Sequence, residues 1–420
     1  MKNHIYSERV DLFDPNIYIN LVVEIIGNPN TEEVISAVKL AFKSNEATMS
    51  KITLDNNGEA YYEKISASGC KVECTNGDWR AIIKENEKIP FEIDKGELIR
   101  VFLINSSDKV ILLVMAHHLV GDGKAITYFI EDIMKALSGE KLNYRPIKLI
   151  TEESFSNKFK VLLPFKLYAN YFNKKWSKTG RIFNWEDYYN VHKVYWNKRS
   201  SRVVYEHFST EELSKIHSKA KGLGISVNSY ILTAFLEADR DSSVIGMAVN
   251  IRKDNNKSIS NQVSGISINH KFSDKKTFDE NAIMIHKKVL SKLKTPAKKY
   301  FIIKFMQLFS PSLLDSIVLY KYGLYENDVT KKIAKVMGYV GDKTRDLGIT
   351  NLTKLDIPNK YGNYEIKNVL FIPPVVSYAK HIIGVSTMND GMNISYHFMS
   401  NEDMEKEIRF FKRGIKNLRN

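Results

Sequence analysis

Two adjacent histidines open the run His117-His118-Leu119-Val120-Gly121-Asp122-Gly123, the segment of this chain best suited to chemistry. Imidazole titrates near neutral pH, so a histidine can take a proton from a hydroxyl or amine and pass it on. Neighbouring side chains in an extended segment point to opposite faces, so only one of the pair can address a given cleft. The glycines around Asp122 permit tight backbone geometry beside the histidines. Loops at strand ends commonly carry functional groups. Residue types alone leave three other readings open. The pair could bind a metal, although zinc needs a third protein ligand and none stands nearby in sequence, so no metal is expected. Asp122 could simply cap the next helix. Both histidines could be packed in a core.

The elements around the run are legible. A strand is expected over 109–116, just before it. Just after it, Ile126, Phe129, Ile130, Ile133, Met134 and Leu137 recur at helical spacing, with Gly139 as the stop. Upstream, the β-branched run 18–26 reads as a strand, and Asn30 or Thr31 caps a helix to about Lys43. Short strands at 52–54 and 60–64 flank the turn Asn56-Asn57-Gly58, a helix follows over 78–88, and the polar turn Ser106-Ser107-Asp108 joins strands 98–105 and 109–116. The stretch 145–196, rich in lysine and aromatics and carrying Pro146 and Pro164, reads as a crossover between lobes. Within it Phe155, Phe159, Leu162, Leu163 and residues 165–176 form a basic amphipathic pattern. A helix packed on the core with its lysines in water is preferred there to a membrane-surface helix.

The second half repeats the mixed order. It has a strand at 203–208, a helix capped at Thr210-Glu211-Glu212 and running to Ala220, and a buried helix at 227–238. A strand at 244–251 and an extended segment at 262–272 precede helices at 278–294 and 300–322, the latter broken at Pro311. A strand near 368–373, a hairpin turning at Asn389-Asp390-Gly391 and a helix at 402–418 close the chain. The shared order suggests two lobes, 1–175 with the histidine run and 176–420.

The 420 residues exceed one small core, and 43% hydrophobic with 26% charged residues indicates a globular chain. No run approaches the ~20 apolar residues that span a bilayer. The N-terminus leads into no apolar signal core, so a cytoplasmic location is expected. Cys70 and Cys74 stand alone, which argues against structural zinc and for a reduced pair. A net charge of +14 suits nucleic acid, anionic membrane, coenzyme A phosphates or an acidic carrier protein. The basic residues read as scattered and no nucleic-acid motif appears, so nucleic acid is not expected as a partner.

The run also fits the HHxxxDG signature of the condensation-domain superfamily, which includes chloramphenicol acetyltransferase-like acyltransferases. Other segments resemble that family in the same order. Ile89 to Arg100 is similar to its "PFD…G.L.R" stretch, and Val249-Asn250-Ile251-Arg252 to its "VN.R" strand end. Gly265 to Asn269 is similar to "GxFxN", with Ser267 in place of the phenylalanine. Ile349-Thr350-Asn351-Leu352 is similar to "SNLG", with Thr353 where a glycine often follows. No DFGWG motif is present, which disfavours the plant branch.

The resemblance implies an α/β fold of two pseudo-symmetric lobes, each a mixed sheet with helices, and an active-site tunnel between them. It implies that His118 is the general base of acyl transfer from a thioester, with no acyl-enzyme. Asp122 would turn away and pair with an arginine of the other half, for which Arg252 is the candidate. His117 would orient the loop. Gly123 would leave room for the acceptor and offer its N–H to the oxyanion. Thr350, Asn351 and Asn269 are candidates for tunnel or oxyanion contacts. No permanently bound cofactor is expected. The co-substrate would be acyl-CoA or a phosphopantetheinyl thioester, and the acceptor an alcohol or amine. A stand-alone CoA-dependent acyltransferase is the first reading. A free-standing nonribosomal-peptide-type condensation enzyme served by an acyl carrier protein is the alternative. Peripheral membrane contact is not favoured, and a monomer would suffice.

Overall fold

The computed structural model describes residues 2–5, 8–105, 109–151, 154–155, 161–179, 181–253, 256–341, 345–389, 391–400 and 403–420. The expected turn at Ser106 to Asp108, together with Phe159, Asp390 and Glu402, lies outside them. Two runs that are apolar nearly throughout, Tyr18–Ile26 and Lys109–His117, pair antiparallel from Tyr18 with His117 to Ile26 with Lys109. Such continuous runs mark strands buried on both faces. They form the middle of a six-stranded sheet whose order is Lys360–Tyr361, Tyr364–Ile372, Tyr18–Ile26, Lys109–His117, Ile99–Asn105 and Lys71–Thr75. Helices Thr31–Ser44 and Gly123–Leu137 lie together against it, with Phe42 stacked on Phe129 at 5.2 Å.

A second six-stranded sheet has the order Val263–Asn269, Val244–Asn250, Arg345–Lys354, Ala379–Met388, Gly391–Met399 and Ser201–Ser209. Helices Thr210–Gly222, Val227–Ala238, Phe278–Leu293 and Met404–Arg419 contribute apolar faces to its core. The expected two-lobed α/β architecture is therefore present, with one core per sheet.

The expected boundary at residue 175 does not divide the two sheets. Strand Tyr364–Ile372 belongs to the first sheet, where it pairs antiparallel with Tyr18–Ile26. Helices Leu163–Trp176 and Trp185–Trp196 both pack into the first core through Phe172, Trp176, Tyr188 and Val191. Chain order cannot reveal this, because local pattern says nothing about which sheet a strand will join. The returning strand also ties the sheets together. Val369 O accepts hydrogen bonds from Ser386 Oγ (2.8 Å) and Asn393 Nδ2 (2.9 Å), and Phe371 O accepts one from Ser395 Oγ (2.5 Å). Side chains of the second sheet thus satisfy carbonyls of the first.

Smaller differences have local causes. Ser209 rather than Thr210 caps its helix, because Ser209 and Glu212 form a reciprocal capping box. Strand Lys71–Thr75 has a mostly exposed, polar face and so lacks an apolar signal. Helix Asp328–Val336 is nine residues long and half lysine-rich surface.

Candidate active site

The loop after strand Lys109–His117 is fixed by its backbone. His118 N–H donates to Ile17 O at 3.0 Å, Val120 N–H to His117 O at 2.9 Å, and Gly121 N–H to His118 O at 3.2 Å. This turn sends the two imidazoles apart. His117 is fully buried against Tyr18 and Phe91, and its Nδ1 accepts the Leu119 N–H at 3.2 Å. Burial, with the Arg100 charge acting in the same direction, pushes its pKa down to about 3, so it stays neutral. His118 instead borders a cavity of about 260 Å³ between the sheets, and its side chain remains 19% exposed.

Burial also lowers the pKa of His118 below the ordinary value. Asp11 Oδ2 lies 3.6 Å from His118 Nδ1, beyond hydrogen-bond length, and Asn261 Nδ2 lies 3.4 Å from the same nitrogen. Burial and the nearby Asp14 raise Asp11 to about 8. For His118 itself burial outweighs the Asp122 and Asp14 charges, which act in the opposite direction. A lowered pKa favours the neutral imidazole, the form able to accept a proton.

Asp122 faces structure rather than the cavity centre. Its Oδ1 accepts the Ala125 N–H at 2.9 Å, capping helix Gly123–Leu137. Its Oδ2 accepts Arg252 Nη1 at 2.9 Å and the Gln262 N–H at 2.7 Å. Arg252 Nη2 continues to Ser260 O at 2.8 Å. Both side chains of the pair are 3% exposed. One carboxylate thus serves as a helix cap and as a tie to the loop that leaves the second sheet.

Gly123 lines the cavity as the first residue of the helix, where N–H groups have no intrahelical acceptor. A Cβ on it would lie 2.6 Å from Leu352 Cδ2 and 3.2 Å from Phe371 Cε2, so only glycine fits without displacement. Thr350 and Asn351 reach the same cavity from strand Arg345–Lys354. Asn351 is already engaged, accepting the Thr353 N–H at 2.7 Å. Asn269 is not part of this site. It is exposed at the far end of strand Val263–Asn269, whose cavity-lining residues run only from Val263 to Ile266.

Asp11, Asn261 and Arg345 also line the cavity and carry no recognisable motif. The one available signal for Asp11 was the interleaving of charges with apolar residues in Arg9-Val10-Asp11-Leu12-Phe13-Asp14, where Arg9, Asp11 and Asp14 are all buried. The site holds no cluster of three or more His, Cys, Asp or Glu suited to a metal among the described residues.

Thr353 has φ of 62° beside an irregularity in the strand between Asn351 and Lys354. A β-branched residue in the left-handed region is strained by about 1–3 kcal/mol. Glycine there would lose roughly 0.4–1 kcal/mol through its freer unfolded chain. Thr353→Gly is therefore expected to stabilise the protein by about 1 kcal/mol, read as a higher urea midpoint at unchanged slope. A lower midpoint would refute the strain.

No family model matches the chain. Surfactin synthase subunit 1 of Bacillus subtilis (strain 168) is 28% identical over 125 residues, which is 29% of this chain and 3% of that protein. A polyketide synthase-nonribosomal peptide synthetase of Aspergillus clavatus is 24% identical over 141 residues, 32% of this chain and 4% of that protein. The chain thus spans only a few hundredths of the length of these relatives. Solved structures match over the full length. Trichothecene 15-O-acetyltransferase of Fusarium sporotrichioides superposes with a TM-score of 0.67 at 12% identity, covering 100% of this chain and 94% of that one. The condensation domain of the monacolin K polyketide synthase gives 0.63 at 12% identity, covering 100% and 97%. The two mixed sheets with their flanking helices accordingly have the fold of condensation domains and of chloramphenicol acetyltransferase-like acyltransferases.

Proposed function

We propose that this protein transfers an acyl group from a thioester to an alcohol or amine, with His118 as the general base. The observation that carries the reading is the position of His118 on the wall of the cavity between the sheets, where burial lowers its pKa. The acceptor's proton goes to His118 as its oxygen or nitrogen attacks the thioester carbonyl. The tetrahedral intermediate then collapses, the carbon–sulfur bond breaks, and the same proton is delivered to the thiolate. The products are an ester or amide and a free thiol, with no acyl-enzyme. The Gly123 N–H, at the positive end of its helix, is the group proposed to face the oxyanion. Apolar walls from Ile302, Met306, Ile349 and Phe371 suit an acyl chain or an apolar acceptor.

The donor proposed first is acyl-CoA. A carrier-protein-bound donor is the second reading, favoured by the local match to surfactin synthase subunit 1. Thiol release from a panel of acyl-CoAs and acyl carrier proteins, with and without small alcohols and amines, tests both. Acceptor-dependent release from one class alone selects that donor, and none from either rejects the proposal.

The pH profile provides a separate check. His118 acts as a base only when neutral, and burial lowers its pKa. The acid limb of kcat/KM should therefore have its midpoint below 6.5, the ordinary histidine value. A midpoint at or above 6.5 would show that a carboxylate pairs with His118 in the free enzyme.

A further inference from the structure

The net charge of +14 is not spread over the chain. Residues 154–185 contain seven basic residues and no acidic one, and residues 281–314 contain seven lysines and no acidic residue. Together these stretches carry the entire excess, and the remaining residues balance at 48 basic and 48 acidic. The fold brings the two stretches together. The Phe165 ring packs on Phe301 at 5.1 Å and on Phe305 at 5.7 Å. Asn173 Nδ2 donates to Leu308 O at 2.7 Å, and Asn173 Oδ1 accepts the Ser310 N–H at 2.9 Å.

Helix Leu163–Trp176 gives one face to the core through Ala169, Phe172 and Trp176. The lysines expected in water are there, since Lys166, Lys174, Lys175 and Lys178 are exposed. The packed-helix reading accounts for that much and no more. Leu162 (67%), Leu163 (66%), Leu167 (59%) and Tyr171 (53%) are the most exposed large apolar side chains among the described residues, and all four fall within ten positions. Leaving such a patch in water is costly, and isolated exposed leucines elsewhere do not cluster this way.

We propose that the outer face of Leu163–Trp176, with the adjoining Pro296–Met306 helix, docks onto an anionic lipid bilayer. Interleaved lysines and large apolar residues are what a helix in the plane of the interface needs: charge toward headgroups, side chains into the acyl boundary. An acidic protein surface would answer the lysines, but the exposed Leu162, Leu163, Leu167 and Tyr171 between them call for hydrocarbon beneath the charge. A bilayer presents diffuse negative charge over hydrocarbon, which matches the face on both counts. Among the described residues no single helix is long and apolar enough to cross a membrane; Pro296–Met306 and Pro311–Lys321 reach that length and composition only as a pair bent by 85°, and Pro311–Lys321 is mostly buried within the protein, so the contact proposed is peripheral. The inner side of Pro296–Met306 lines the His118 cavity through Ile302, Ile303 and Met306. A chain dissolved in the bilayer would therefore have a short route to that cavity. The docking itself is independent of the acyl-transfer reading.

Flotation of the full chain with phosphatidylcholine vesicles, with and without phosphatidylglycerol, tests this without any activity assay. The wild type should float only with phosphatidylglycerol present, and less at high salt. Lys166→Gln, Lys174→Gln and Lys175→Gln combined should weaken binding about 10²-fold, at about fivefold per lysine. Leu162→Ser, Leu163→Ser and Leu167→Ser combined should weaken it at least about tenfold at unchanged charge. These positions are exposed, so both variants should unfold at the wild-type urea midpoint. Failure of the wild type to float overturns the proposal. So does a leucine variant that binds normally, since that would be adsorption by charge alone. An acidic acyl carrier protein binding in a leucine-dependent way, with no vesicle binding, would assign the face to a protein partner instead.

Discussion

Replacing His118 with alanine is expected to lower thioester-dependent acylation of the acceptor by about 10²–10⁴-fold, the usual contribution of a positioned base. Stability should change little. The side chain is partly exposed at the cavity wall, and its nearest polar neighbours lie at 3.4 and 3.6 Å, so no strong bond is lost. The backbone bonds that shape the turn come from His118 N–H and O, which alanine keeps. Initial rates of thiol release, measured beside a urea titration, separate the two effects. Unchanged turnover in a folded His118→Ala protein would remove the imidazole from the mechanism. The residual rate in the variant would report what orientation in the cavity supplies by itself.

Asp122→Ala should act through stability. It leaves the Arg252 guanidinium buried without its anion, a loss of about 3–5 kcal/mol for a pair broken from one side. It also removes the acceptor for Ala125 and Gln262 N–H groups. Chemical denaturation should show the full drop in the single variant. Asp122→Leu combined with Arg252→Met should recover much of it, because apolar side chains of similar volume leave no orphaned charge. If Asp122→Ala kept wild-type stability and lost activity, Asp122 would have to act on the substrates directly.

Where local pattern reports burial, the sequence was sufficient. The nine-residue strand Tyr18–Ile26, helix Val227–Ala238 and the helix after the histidine run each fell close to their expected bounds, because apolar spacing follows the face that packs. The same spacing says nothing about partners at long range. Strand Tyr364–Ile372 could be read as a strand but not as a member of the first sheet. Asp11 reaches His118 across more than a hundred residues of chain, and no periodicity encodes that approach. Arg252 was legible only because a short motif resembled a known strand end. Asn269 shows the opposite failure. It had a motif-like setting, but the strand carries it to the exposed end, away from the cavity. Charge was misread for a related reason. The two acid-free stretches lie far apart in the chain and are brought together only by packing, Phe165 on Phe301 and Asn173 on Leu308.

The return of Tyr364–Ile372 to the first sheet also sets a schedule for biosynthesis. Strand Tyr18–Ile26 is synthesised some 340 residues before its partner on one side. At roughly 5–20 residues per second, about 20–70 s pass before that edge can be covered. During this interval an apolar strand with unpaired N–H and C=O groups is open to pairing with another nascent chain. Closing so distant a contact is slow on entropic grounds as well. Off-pathway pairing at that edge is therefore a hazard until Tyr364–Ile372 is made, and the first sheet cannot be completed by residues 1–175 alone.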